Sequence, residues 1–310
     1  MIYTVTLNPA IDLIVNSELH VGELNRAQSE EYVLGGKGIL VSEAVKIFGA
    51  ETTATGFLAG FTGDFLRGEL TRKQIPNHFI TADGITRVNV KVFSETSDMT
   101  QINLTGIRVT PVKFRELTRY LEENLTKEDT LVFSGSTAEG VSLNEFRDLC
   151  EIASRCAGKL VLDTSLEYIM ASLDFHPWLV RPTVYELYDA LSSRRQGYEN
   201  DMIEQGKKLR RLGAKNVLMR DVRKATILVS EKGVYFGEPA ETPVVSTLGT
   251  SDAMIAAFIL KYEETGDYGK ATEWAMAAAA ATSASADMPS LKEIEEALKD
   301  TGVVYAGGAE

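Results

Sequence analysis

Cysteine, histidine and basic residues are scarce in this sequence, and long apolar runs are missing. Among 310 residues there are 2 cysteines, Cys150 and Cys156, too few for a disulfide scaffold and without a metal-ligand cluster around them. They read as small buried residues of a reduced compartment. Lys plus Arg number 32 against 44 Asp plus Glu, giving a formal charge of -12 and a pI of about 4.9. That balance argues against nucleic-acid or anionic-membrane partners, which need a basic face. A small anionic ligand stays open, because a few local cations and helix N-termini suffice for it. The longest small-apolar stretch, Trp274 to Ala281, falls short of the ~18 to 20 residues of a bilayer span. No basic n-region precedes Ile2, Val5 and Leu7, so no signal peptide is visible and the cytoplasm is the expected compartment.

What is present is a large core. Hydrophobic residues make up 44% of the chain and charged residues 25%, which excludes disorder as the main state. Short β-branched runs alternate with longer helical patterns, the signature of a parallel sheet wrapped by helices. Strands are expected at Ile2 to Leu7, Thr52 to Phe57, Thr130 to Ser134, Lys159 to Asp163, Trp178 to Arg181, Asn216 to Arg220 and Ala225 to Ser230. Helices are expected at Ile39 to Phe48, Phe61 to Lys73, Pro111 to Asn124, Ser142 to Ser154, Asn200 to Leu212, Asp252 to Thr265, Lys270 to Ala286 and Leu291 to Leu298. Two segments, 13–34 and 86–104, break the alternation with β-rich, polar-alternating sequence, and together they can form one small accessory sheet. The tail from Ala306 to Glu310 reads as frayed.

Three constellations carry candidate chemistry. Asn8 to Asp12 follows the first strand, at the strand end where open α/β sheets bind ligands. Asp12 there suits sugar hydroxyls, and an ordinary Asx/Pro turn is the other reading. Gly35-Gly36-Lys37-Gly38 precedes a helix; its glycines allow close backbone approach and Lys37 suits a phosphate, against the reading of a flexible turn. It is neither a Walker loop nor G-x-G-x-x-G, and the latter's absence after the first strand argues against a nicotinamide dehydrogenase. Leu248-Gly249-Thr250-Ser251-Asp252 opens the next amphipathic helix, where N–H groups can hold a phosphoryl group. Thr, Ser and Asp are also plain N-caps.

Taken in order with Thr86 to Lys91, Ser134-Gly135-Ser136, Leu162 to Ser165 and Arg181 to Leu187, these motifs resemble the ribokinase-like (PfkB) carbohydrate kinases, most closely the branch of 1-phosphofructokinases and tagatose-6-phosphate kinases. The resemblance runs from residue 1 to about 300. It implies a three-layer α/β/α fold over 1–310 with a mostly parallel sheet and a small β-lid from about 13–34 and 86–104. It implies ATP and Mg²⁺ as cofactors, a ketohexose phosphate as substrate, and a homodimer through the β-lid. By the same resemblance Asp252 is the base, and Gly249, Thr250 and Ser251 form the anion-hole turn. Asp12, Gly35, Gly36, Lys37, Arg87, Asn89 and Ser136 fall on the sugar side. Arg181, Glu186, Arg220 and Lys224 fall on the nucleotide side, with Glu186 organising Mg²⁺. Lys37 and Arg87 are expected to meet one anionic group from opposite sides.

Several residues depart from the family pattern. Ser251 stands where relatives have glycine, and a positive φ there would cost about 1 to 2 kcal/mol. Leu40 replaces an Asn, Thr183 replaces the Asn of Lys-Pro-Asn, and Leu166 replaces a Gly. Met219 to Ala225 lacks both glycines of the nucleotide loop, so Arg220, Arg223 and Lys224 either grip phosphates or are solvated cations. These departures predict ATP binding in the high micromolar range or weaker, about -5 kcal/mol. They keep a second reading open, a weak or inactive sugar-phosphate-binding protein on a decayed kinase.

Overall fold

Runs such as Ile2-Tyr3-Thr4-Val5-Thr6 and Thr130-Leu131-Val132-Phe133-Ser134 are buried from end to end, as strands covered on both faces must be. The computed structural model describes residues 1–94, 99–190, 198–221, 225–238 and 243–308. The strands are β1 (Ile2–Thr6), β2 (Ala10–Asn16), β3 (Ser29–Gly35), β4 (Thr52–Leu58), β5 (Asn77–Thr81), β6 (Arg87–Phe93), β7 (Thr100–Ile102), β8 (Thr130–Ser134), β9 (Lys159–Asp163), β10 (Leu179–Val180), β11 (Val217–Arg220), β12 (Thr226–Ser230), β13 (Gly233–Glu238) and β14 (Gly302–Gly307). The helices are α1 (Lys37–Ile47), α2 (Gly60–Arg72), α3 (Pro111–Asn124), α4 (Leu143–Cys156), α5 (Leu166–Ala171), α6 (Val184–Ala190), α7 (Tyr198–Arg211), α8 (Thr250–Thr265), α9 (Tyr268–Ser283) and α10 (Leu291–Ala297).

Ten strands form one sheet in the order β14-β13-β12-β11-β10-β9-β8-β1-β4-β5, parallel from β11 through β5 and antiparallel from β12 to β14. Its two faces bury different helices. Val132, Val161, Leu179 and Leu218 pack with Val41 and Ala44 of α1 and with α8 and α9. Leu131, Phe133, Leu160, Leu162 and Val217 pack with Leu117 of α3, Leu149 of α4 and Leu209 of α7. The result is a three-layer α/β/α core. The chain leaves β1 toward β4 and β5 on one side and later builds β8 to β11 on the other. The carboxyl end of β1 is therefore a topological switch point, where such sheets open a ligand crevice.

A second sheet, β3-β2-β6-β7, joins the two segments that break the alternation, with Asp12 opposite Val33 on one side and Asn89 on the other. Two expectations need correction. The tail is not frayed up to Gly307: that residue pairs with Val234 of β13, with β14 forming the edge of the sheet. Ser251 carries no positive φ, because it lies inside α8 and the left-handed residue is Gly249, at φ 72°. Ser251 is therefore unstrained. Cys150 is buried, whereas Cys156 is only partly so.

Candidate active site

The candidate site is built at the carboxyl edge of the large sheet. Register places Ser134, Asp163 and Arg181 side by side on β8, β9 and the residue after β10, on the face that also carries Val132, Val161 and Leu179. Arg220, two residues beyond Leu218, ends β11 on that face. The apolar core thus closes in a polar row just above the N-termini of α1 and α8. Asp163 is its hub. Its Oδ2 accepts from Ser134 Oγ at 2.6 Å and from Lys37 Nζ at 3.3 Å. Arg181 Nε lies 3.0 Å from Oδ1 as an ion pair whose angle is not that of a hydrogen bond. Burial pushes the Asp163 carboxyl upward, but the Arg181 and Lys37 charges and the Ser134 bond outweigh it, so its pKa falls below the usual value.

Asp252 sits in the first turn of α8 and is 2% exposed. Its Oδ1 finds no hydrogen-bond partner among the described residues. Burial first, and the Asp163 charge second, push its pKa up to about 7, against opposing pulls from Lys37, Arg181 and Lys91. A carboxyl poised near neutrality can take a proton from a hydroxyl. Gly249 shapes the turn: at φ 72° any other L-residue is disfavoured, and an added Cβ would meet Met288 Cε at 3.1 Å. The turn leaves the first N–H groups of α8, those of Thr250 and Ser251, without intrahelical acceptors. Gly36 does the same for α1 at φ 95°, where a Cβ would press on the Pro9 backbone at 3.0 Å.

The second sheet contributes Asp12, Asn89, Lys91 and Arg87. Asp12 accepts from Asn89 Nδ2 at 3.0 Å and from Lys91 Nζ at 2.5 Å, and all three residues are buried. Lys91 lay within the sequence motif but was not expected in the site. Its signal was a lysine in the alternation Val88-Val90-Val92, on the same face as Asn89. Arg87 donates to the Asn8 carbonyl at 2.9 Å, the Leu104 carbonyl at 3.1 Å and Ser136 Oγ at 3.3 Å, and burial lowers its pKa. Among the described residues Lys37 and Arg87 share no protein partner: Lys37 turns to Asp163 and Arg87 to Asn8, Leu104 and Ser136. Gly35 lies against Asp12, where a Cβ would fall 2.8 Å from Asp12 Cγ.

Glu186 is engaged locally. Its Oε2 accepts from Thr183 Oγ1 at 2.5 Å and from the Thr183 N–H at 3.2 Å, and its Oε1 accepts from the Leu166 N–H at 3.4 Å. Thr183 thus starts α6 as its cap. Among the described residues no group of three or more His, Cys, Asp or Glu is arranged to hold a metal. Mg²⁺ binds through one or two carboxylates, water and substrate phosphates rather than an all-protein cage, and Glu186 would be such a carboxylate. The row of cations suits the phosphates of ATP, while the orphaned Asp252 Oδ1 suits a hydroxyl donor. Lys224 and Arg223 lie outside the described residues. Asp221 accepts the Ala225 N–H at 2.8 Å.

A cleft of about 690 Å³ runs from Gly249, Leu248 and Leu40 past Val33 and Met288 to Glu43, Ile47 and Lys73. It adjoins the site at Gly249 but is not walled by Asp12, Lys37 or Asp252, so the polar row and not this cleft marks the chemistry. Leu40 gives it an apolar wall beside the helix turn. Among the described residues no helix is long and apolar enough to cross a membrane.

Comparison with known proteins follows this geometry. The signature of the pfkB family carbohydrate kinases matches residues 4–290. A 1-phosphofructokinase of Borreliella burgdorferi is 32% identical, over 96% of this chain and 96% of its own. A D-tagatose-1-phosphate kinase of Bacillus licheniformis is 31% identical, over 98% and 100%. The solved phosphofructokinase-2 of Escherichia coli superposes with a TM-score of 0.90 at 24% identity, covering 96% of this chain and 98% of that one. The fold is accordingly ribokinase-like.

Proposed function

The chain belongs to the pfkB family of carbohydrate kinases, and from that membership we propose that it phosphorylates a ketohexose phosphate of the fructose 1-phosphate or tagatose phosphate kind, using ATP and Mg²⁺. The observation that carries this reading is Asp252, a carboxyl buried at a helix N-terminus with one oxygen unpaired and a pKa near 7. When bound, Mg²⁺-ATP supplies the phosphoryl group and partly neutralises its charge.

The residues divide the work by position. Asp252 takes the proton of the accepting hydroxyl. The Thr250 and Ser251 N–H groups face the phosphoryl oxygens and, fixed by the Gly249 turn, need little reorganisation. Asp12, held by Lys91 and Asn89, keeps lone pairs for sugar hydroxyls, since a carboxylate offers about four acceptor sites. Arg87, steadied by Asn8, Leu104 and Ser136, faces the substrate's own phosphate. Lys37, Arg181 and Arg220 lie on the donor side, and Glu186 reaches Mg²⁺ through water.

A homodimer belongs to the same reading. Leu13, Tyr32, Val90 and Ile102 share the outer face of the second sheet, and Tyr32 and Ile102 are more than half exposed, at 55% and 53%. The inactive-protein alternative draws no support from the geometry or from the relatives. A coupled ADP-release assay over a panel of ketohexose phosphates tests the function. Turnover with one of them is expected, and none with any of them would overturn the reading.

A further inference from the structure

Arg220 is a cation without a visible reason. It is half-buried at the end of β11, yet its side chain makes no hydrogen bond or ion pair among the described residues. Its neighbour in the row, Arg181, is 11% exposed and spends only its Nε on Asp163. That same carboxylate already serves Lys37 and Ser134. Lys37 and Arg181 thus share the Asp163 carboxylate, while Arg220 is opposed only by the charge of its sequence neighbour Asp221. Burial holds the Arg220 guanidinium below its ordinary value, the Arg181 charge adds to that, and only Asp221 opposes it. Two guanidiniums on one face of adjacent strands, both partly desolvated, repel unless an anion lies between them.

Spacing specifies the anion. Strands about 4.8 Å apart, rising ~3.3 Å per residue, set Arg181 one strand spacing from Asp163 and put Arg220, two residues further along β11, roughly 8 Å from Arg181. A single phosphate is too short to engage that row together with the N-terminus of α8. A chain of linked phosphates fits.

We propose that Arg181 and Arg220 form a side-chain clamp for a linear polyphosphate, so that this protein holds its phosphoryl donor by charge on the phosphates distant from the reacting one and discriminates bases weakly. The inference deepens the kinase reading and rests on it for the donor's role. The chemistry is shared by a nucleoside triphosphate and by inorganic polyphosphate. Guanidinium forks match phosphate oxygens bidentately and bring a full positive charge.

The test is calorimetry on the full chain with Mg²⁺-ATP, Mg²⁺-GTP and Mg²⁺-tripolyphosphate, for wild type, Arg220→Leu and Arg220→Lys. The clamp requires that Arg220→Leu weaken ligand binding by roughly tenfold to a hundredfold. Arg220→Lys should lose less, and ATP and GTP should bind alike. Tripolyphosphate binding without nucleotide binding supports the clamp and identifies the inorganic donor. Wild-type ATP affinity in Arg220→Leu overturns it, as does a variant that loses nucleotide but keeps tripolyphosphate, or a wild type that ignores tripolyphosphate. Retained sugar-phosphate binding and an unchanged Tm in Arg220→Leu show that it is folded; if it is not, Arg220→Lys and Arg181→Lys carry the same comparison. Turnover is scored separately: an active wild type with an unaffected Arg220→Leu sinks the clamp alone, and a clamped but inactive wild type sinks the kinase reading alone.

Discussion

Lys91 Nζ lies 2.5 Å from Asp12 Oδ2, and both side chains are only 8% exposed. An ion pair this enclosed gains little over an apolar pair of like shape, but removing one partner strands a buried charge. Lys91→Met should therefore destabilise the fold by about 3 to 5 kcal/mol. Chemical denaturation measures this. The double variant Asp12→Asn/Lys91→Met should regain most of the loss, and a Lys91→Met protein as stable as wild type would show that the pair is not buried in solution.

Asp252 makes two opposite predictions. Asp252→Asn should lower kcat by at least ~10², the scale of a lost general base. It should also raise stability. The folded pKa of about 7 exceeds the ordinary carboxyl value of 3.8, so between those pH values the native state holds a proton that the unfolded chain has released. Stability from this group falls as pH rises through that window, and the cost is complete above pH 7. The variant should gain a few kcal/mol at pH 8 and almost nothing at pH 4, read as Tm across pH. In the wild type, kcat/KM should climb with pH through about 7 as the base ionises.

Arg87→Ala should weaken ketohexose-phosphate binding by roughly tenfold to a hundredfold while sparing nucleotide. Calorimetry with the phosphorylated and the plain sugar separates the cases. Equal affinity of the wild type for both would remove Arg87 from phosphate recognition.

Gly249→Ala asks a side chain to adopt φ 72°, which costs about 1 to 2 kcal/mol, and it sets a Cβ against Met288. Loss of both stability and turnover is expected. Unchanged kcat would mean that this turn does not shape the phosphoryl site.

The thiols differ enough to count. Burial pushes the Cys150 thiol up to about 12, and Cys156 is only partly buried. A thiol reagent at pH 8 should titrate one cysteine per native chain and both after denaturation. Two reactive thiols in the native protein would contradict the packing of α4 against the sheet.

The sequence by itself determined the alternation of strands and helices and the identity of the residues that end up at strand tips. Those properties are local: a buried strand needs an unbroken apolar run, and a helix at a ligand crevice needs a glycine turn before it, as at Gly36 and Gly249. Asp163 and Arg181 were visible as motif members for the same reason. Strand β13 and the edge strands β5 and β14 were not visible, because short half-exposed strands are specified by the neighbour they pair with and carry little periodicity. Only the tertiary structure decided the partnerships. It joined Lys37 to Asp163, 126 positions away, and Lys91 to Asp12, 79 positions away, and it half-buried Arg220 with only Asp221 to oppose its charge. Charge pairing and desolvation depend on distance in space, and a linear sequence does not hold those distances until the sheet order is set.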